Sequence, residues 1–84
     1  MNSLHSLPPS TARACALLLA WYEEIDTWTT VPHGATSMVP LTLERGWTER
    51  DTHGRTRLTP DGRIALERYL ERQREDRDVG QPTT

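Results

Sequence analysis

The stretch that decides the fold is residues 41 to 70, which read LTLERGWTERDTHGRTRLTPDGRIALERYL. The stretch begins within a short predicted helix, which ends at Gly46. Glycine readily adopts the left-handed conformation in which many helices terminate. Two β-prone runs, residues 47–50 and 56–58, then flank a loop in which Gly54 can take a positive φ. This pattern predicts a two-stranded antiparallel hairpin.

A second helix is predicted immediately after the hairpin, and its start is the strongest local signal in the chain. Thr59 is suited to cap the helix, and Pro60 fits the first helical position, where its missing N–H has no intrahelical partner to lose. Asp61 then lies at the positive end of the helix dipole. Apolar residues between Ile64 and Leu70 continue the helix before charged residues take over.

Upstream of this stretch, residues 11–28 carry apolar side chains at three- and four-residue steps, which predicts a long helix capped by Ser10. The stripe consists of Ala14, Leu17, Leu18, Trp21, Ile25 and Trp28, and it is widened by Cys15, Leu19 and Tyr22. Its width favours a central core helix and leaves part of the stripe for contact with a second copy in a homodimer.

Between the long helix and the hairpin, residues 27–36 contain Pro32 and Gly34 and predict an extended segment followed by a turn. Residues 37–45 then predict a short helix capped by its first residue. Pro40 is compatible with that helix because it falls in the first turn.

The predicted fold is mostly α with a small β-hairpin in a single domain, residues 10–74. Residues 1–9 are expected to form a flexible leader, and residues 75–84 a flexible charged tail. With 84 residues the chain is long enough for one small core and no more.

The stretch from Leu41 to Leu70 resembles the second half of a winged-helix domain of the kind found in small bacterial and phage regulators. The resemblance lies in Leu43-Glu44-Arg45-Gly46-Trp47, in the arginine-bearing hairpin or wing, and in the Leu-Thr-Pro-Asp-Gly-Arg turn at residues 58–63. It implies a winged-helix-like fold, here with a reduced helix-turn-helix, because residues 27–36 are too few for a full supporting helix. It also implies a DNA-binding regulator of transcription.

The resemblance places the short helix at a groove of double-stranded DNA and the wing arginines on the phosphate backbone. On the short helix the polar residues expected to face DNA are Ser37, Thr42 and Arg45, of which Arg45 can read guanine or simply complement the helix dipole. On the hairpin the expected DNA-binding residues are Arg50, His53, Arg55 and Arg57.

The charge distribution is compatible with this interface in only one part of the chain. All ten basic residues are arginines, and the net charge of the whole chain is −2. Residues 1–44 carry −3, residues 45–74 carry +3 and residues 75–84 carry −2, so phosphate contact is expected from the middle segment. Two alternatives remain for the hairpin arginines: pairing with Glu49 and Asp51, or contact with a protein partner.

A second hypothesis is therefore a protein-binding adaptor or inhibitor, such as a small phage protein that blocks a host machine. Its partner would have a basic surface, facing the acidic cluster and the aromatic residues near the end of the long helix. These residues are Trp21, Tyr22, Glu23, Glu24, Asp26 and Trp28.

Several other functions are excluded by the pattern of reactive residues. The single cysteine rules out an internal disulfide, and the three histidines have no metal-ligand spacing, so no metal or cofactor is expected. Cys15 lies in an apolar stripe, so its thiol is expected to be an inert core group. Trp47 is expected to anchor the hairpin in the core. We expect no enzyme activity. Without a membrane-spanning or signal segment, a cytoplasmic location is expected.

Overall fold

The structure is a computed structural model that describes residues 3–30 and 37–80, with side chains described as far as residue 75. In chain order it contains a 3₁₀ turn, helix α1, helix α2, strands β1 and β2, and helix α3. Their bounds are Leu4–Ser6 for the turn, Pro9–Ile25 for α1, Val39–Glu44 for α2, Thr48–Arg50 for β1, Thr56–Leu58 for β2 and Pro60–Gly80 for α3. The predicted class, mostly α with a small hairpin, is confirmed and is compatible with a small winged-helix-like domain.

Helix α1 differs from its prediction at both ends. It begins at Pro9, with Pro8 rather than Ser10 at the cap position, because proline suits the first helical turn. It ends at Ile25, where Asp26 takes a left-handed conformation with φ of 54° and donates its N–H to the Tyr22 carbonyl. The prediction that Trp28 belongs to this helix is therefore wrong.

The face of α1 that enters the core is also different from the predicted stripe. The buried residues are Ala12, Cys15, Ala16, Leu18, Leu19 and Tyr22. Leu17, expected in the core, is 66% exposed, and Trp21 and Ile25 are only partly buried. Cys15, Leu19 and Tyr22, predicted only to widen the stripe, form the centre of the buried face.

The predicted flexible leader contributes to the core. Ser3 caps the 3₁₀ turn by accepting a hydrogen bond from the His5 N–H at 3.2 Å. The turn places Leu4, which is 1% exposed, in the main hydrophobic cluster, and His5 stacks on Tyr69 of α3 with ring centroids 5.1 Å apart. Burial of the Leu4 side chain, which contributes roughly 2 kcal/mol, and the stack of His5 on Tyr69 both attach this segment to the domain.

Helix α2 begins at Val39 after Met38, and no side chain caps it, so the prediction of a Ser37 cap is wrong. Pro40 does lie in the first turn, as expected. Gly46 has φ of 77° and ends the helical segment as predicted.

The hairpin is confirmed, with Thr48 opposite Leu58, Glu49 opposite Arg57 and Arg50 opposite Thr56. Gly54 has φ of 81° in its loop. An additional pairing extends the sheet, because Thr29 and Thr56 exchange two backbone hydrogen bonds of 2.9 Å. This agrees with the extended segment predicted at the start of residues 27–36. The turn predicted to follow it, around Pro32 and Gly34, lies outside the described residues.

Helix α3 starts as predicted. Thr59 Oγ1 accepts the Gly62 N–H at 3.0 Å, and the Thr59 hydroxyl donates to the Gly46 carbonyl at 2.6 Å. The helix is longer than expected, since its backbone continues to Gly80 through residues assigned to the flexible tail.

The core consists of two adjoining clusters. The larger joins α1, α3 and the 3₁₀ turn around Trp47, which is fully buried as predicted. The smaller joins α1 and α2 through Leu18, Tyr22 and Val39. The hairpin projects from this core and is held to α1 by contact between the hydroxyl groups of Tyr22 and Thr56.

Candidate nucleic-acid interface

The hairpin arginines are held by the two acids that alternate with them. Arg57 Nε donates to Glu49 Oε1 at 2.6 Å across the strand pair, and Arg55 Nε donates to Asp51 Oδ2 at 3.0 Å. The side chains of Arg55 and Arg57 nevertheless remain 48% and 49% exposed. Both contacts use Nε, so the terminal amino groups of each guanidinium retain the capacity to donate to another acceptor.

The three arginines do not lie on one face of the hairpin. Directly opposed residues share a face and neighbours along a strand alternate, so Arg50 and Thr56 lie on the face opposite Glu49 and Arg57. Arg50 is exposed, and no ion pair joins it to another described residue. The hairpin therefore presents cationic groups on both of its faces.

The hairpin loop is organised by the carboxylate of Asp51. Its Oδ1 accepts the backbone N–H groups of His53 and Arg55 at 2.9 and 2.8 Å. Partial desolvation raises the pKa of Asp51, but these hydrogen bonds and the charge of Arg55 outweigh it and hold the pKa below its ordinary value. His53 is exposed at the loop, where its imidazole is accessible to a ligand.

Helix α2 offers DNA fewer groups than the sequence suggested. Thr42 is fully buried, donates to the Val39 carbonyl at 2.9 Å and accepts from Thr48 Oγ1 at 2.9 Å. The prediction that Thr42 faces a groove is wrong, because these two hydrogen bonds satisfy its hydroxyl inside the core. Ser37 is exposed before α2.

Arg45 lies at the end of α2 and is partly buried. Its guanidinium lies 6.0 Å from the Trp47 ring centroid, and Nη1 donates to Ser6 Oγ at 3.4 Å. The side chain thus packs along the protein surface.

Of the residues predicted to bind a protein partner, some are buried in the fold and others are exposed. Tyr22 is 1% exposed, so it is wrong to count it among exposed aromatic residues, and burial raises the pKa of its hydroxyl. Trp21 and Trp28 are partly buried, whereas Glu23, Glu24 and Asp26 are exposed. Trp28 lies beneath Arg57, whose guanidinium carbon is 4.4 Å from the indole centroid.

A groove that sequence reasoning missed runs between the end of α1 and the β2–α3 junction. Its volume is about 520 Å³, and its lining includes Trp28, Leu58, Pro60 and Ile64. Arg63 lies at its rim and pairs with Asp26 at 3.6 Å. The groove joins segments about 30 residues apart in the chain, which no local pattern brings together.

The described residues contain no group of three or more potential metal ligands. Nor does any helix within residues 3–30 and 37–80 combine the length and the apolar character required to cross a membrane.

Comparison of the chain with protein-family models, with curated proteins and with solved structures found no match.

Proposed function

We propose that this protein binds double-stranded DNA through its hairpin and acts as a small regulator of transcription. The observation that supports the proposal is that the hairpin arginines are both oriented and accessible to solvent. Arg55 and Arg57 are each oriented by an Nε–carboxylate contact, and Arg57 also lies over the Trp28 ring, yet both remain about half exposed. A guanidinium held in this way loses less side-chain freedom on meeting a phosphate, and its remaining N–H groups match the phosphate oxygens.

The two-sided placement of the arginines suggests how the hairpin meets the duplex. An end-on approach to a groove brings Arg50 near the backbone on one side and Arg57 near the backbone on the other. Arg55 and His53, in the loop, then lie closest to the floor of the groove. Contacts of this kind give binding that depends strongly on salt and weakly on sequence.

Helix α2 has a secondary role in this proposal. With Thr42 buried, Ser37 and Arg45 are the predicted groups that remain for contact near a groove. The exposed carboxylate of Glu44 lies on the same short helix and opposes close approach to phosphate. We therefore assign most of the affinity to the hairpin and little base reading to α2.

The proposal is tested by fluorescence anisotropy with a labelled random-sequence duplex at several salt concentrations. Replacing Arg55 and Arg57 together by Ala is expected to weaken binding and to reduce the slope of log K against log salt by about 1.8, the value for two lost phosphate contacts. The matched control replaces Arg68 and Arg72 of α3, which removes the same charge. The assignment of the hairpin as the DNA-binding surface is contradicted if the hairpin variant keeps the slope of the parent. It is also contradicted if both variants lose the same amount of affinity and slope.

A second candidate function, a protein-binding adaptor or inhibitor, is favoured by the groove. Trp28 and the 45% exposed Ile64 provide apolar surface there, bordered by charged groups that can fix the orientation of a peptide. This candidate predicts that random duplex gives no shift at micromolar protein and low salt. It also predicts that the Ile64→Asp variant no longer captures a partner from the source cell. The Leu70→Asp variant should still capture it, because Leu70 is similarly exposed but lies outside the groove.

A further inference from the structure

Helix α1 has a second apolar face, directed away from the core. Leu17 lies on this face, roughly opposite Cys15 and Leu19, and Trp21, one turn further on, forms its edge and packs partly against the smaller core cluster. Leu17 is 66% exposed, more than the other large exposed hydrophobic residues among the described residues. A leucine and a partly exposed tryptophan on one helix side form an apolar surface that water solvates poorly.

Two opposite charges bracket this apolar face. Arg13 and Glu24 are both exposed, and their separation of eleven residues, close to three helical turns, places them on the same side of α1 as Leu17. They are about 16 Å apart along the helix axis. Within the described part of the chain neither forms a salt bridge.

We propose that this face binds the same face of a second copy, with the two α1 helices antiparallel. A twofold axis midway between Arg13 and Glu24 brings each arginine opposite the glutamate of the other copy. The same axis places Leu17 against Ala20 and Trp21 of the other copy, where the small side chain of Ala20 permits close approach. A parallel arrangement would instead oppose like charges and align the helix dipoles unfavourably.

The size of this face limits the strength of the dimer. One side of a helix of 17 residues provides less than the roughly 800 Å² per partner that is usual in stable complexes. We therefore expect a weak dimer that forms only between micromolar and millimolar protein. The dimer forms without nucleic acid, so this inference is independent of the proposed duplex binding.

The charge complementarity is tested by sedimentation equilibrium from micromolar to millimolar protein. Reversing either charge alone, Arg13→Glu or Glu24→Arg, is expected to weaken the dimer about tenfold, because two symmetric ion pairs become repulsive together. The double reversal restores complementarity and should return the dissociation constant to within about threefold of the parent. Arg72→Glu, on α3, is the matched control and should have no effect.

The apolar contact is tested by Leu17→Ala with Leu70→Ala as its control, since both leucines are exposed. Leu17→Ala should weaken the dimer at least tenfold while the circular dichroism spectrum stays unchanged. A protein that remains monomeric at millimolar concentration overturns the proposal. So does a dimer that is unaffected by the single charge reversals, or one that the double reversal fails to restore, because another surface or partner is then responsible.

Discussion

Replacement of Gly62 by Ala should strongly destabilise the fold, although the same change within most helices is stabilising. Gly62 lies in the first turn of α3, where an added Cβ would be 2.0 Å from the Trp47 carbonyl oxygen and 2.8 Å from Leu58 Cδ1. The carbonyl cannot move freely, because it accepts the Thr59 N–H at 3.0 Å. The clash therefore forces α3 away from the hairpin.

The expected magnitude follows from two opposing effects. Helix propensity favours alanine over glycine by up to about 1 kcal/mol. Overpacking against a fixed backbone costs about 3 kcal/mol or more, so we expect a net loss of at least about 2 kcal/mol. For a domain of this size such a loss lowers Tm by roughly 10 °C.

The assay is urea and thermal unfolding followed by circular dichroism, with Gln73→Ala at an exposed position of α3 as the matched control. The free energy of unfolding of this control should lie within about 0.5 kcal/mol of the parent value. A Gly62→Ala protein that is as stable as the parent would refute the close packing of α3 against the Trp47 backbone.

Three other predictions concern buried or hydrogen-bonded groups. Tyr22→Phe removes the hydroxyl contact with Thr56 and should cost about 1–2 kcal/mol in urea unfolding; no loss would refute the link between α1 and the hairpin. Cys15 is fully buried, so a thiol reagent reaches it only when the fold opens and at pH 8 should react about a thousandfold more slowly with folded than with unfolded protein. Burial also raises the pKa of the Cys15 thiol, an effect that the charge of Arg45 partly offsets, and this slows the reaction further. Asp51 has a lowered folded-state pKa, so its stabilising effect is present above the ordinary value of 3.8 and is lost as the pH falls through the lower value. Loop amide shifts during an acid titration should show this loss, and Asp51→Asn should lack it.

The elements predicted correctly are those specified by local backbone chemistry. Gly46 and Gly54 adopt positive φ where the chain must turn, and Thr59 caps α3 ahead of Pro60. These signals act between residues only a few positions apart. They can therefore be recognised without knowledge of the tertiary contacts.

The errors arise where tertiary contacts override a local pattern. The polarity of Thr42 predicts a surface position, yet Thr48 and the Val39 carbonyl satisfy its hydroxyl in the core. The lack of periodicity around Leu4 predicts a flexible leader, yet Leu4 is buried in the main cluster and His5 stacks on Tyr69. The pattern in α1 contained two apolar stripes, and its three- and four-residue spacing alone does not tell which one meets the core.

The sequence indicates which residues form the candidate interface, but it does not indicate how they are placed relative to one another. The alternation of acids and arginines in the hairpin indicated both phosphate contact and internal pairing. The structure shows that Arg55 and Arg57 are paired through Nε while they remain half exposed, so the two interpretations are compatible. The groove between Trp28 and Ile64 had no local signal, because it depends on the path of the chain after Asp26.

The central claim is that the hairpin is the surface that meets DNA. Its most direct test is a nuclear magnetic resonance titration of isotope-labelled protein with a short random-sequence duplex at low salt. We predict that the largest shifts occur at the backbone and guanidinium signals of residues 50–57, and that they disappear at high salt. Shifts confined to the groove around Trp28 and Ile64, or no shifts at millimolar duplex, would contradict the account.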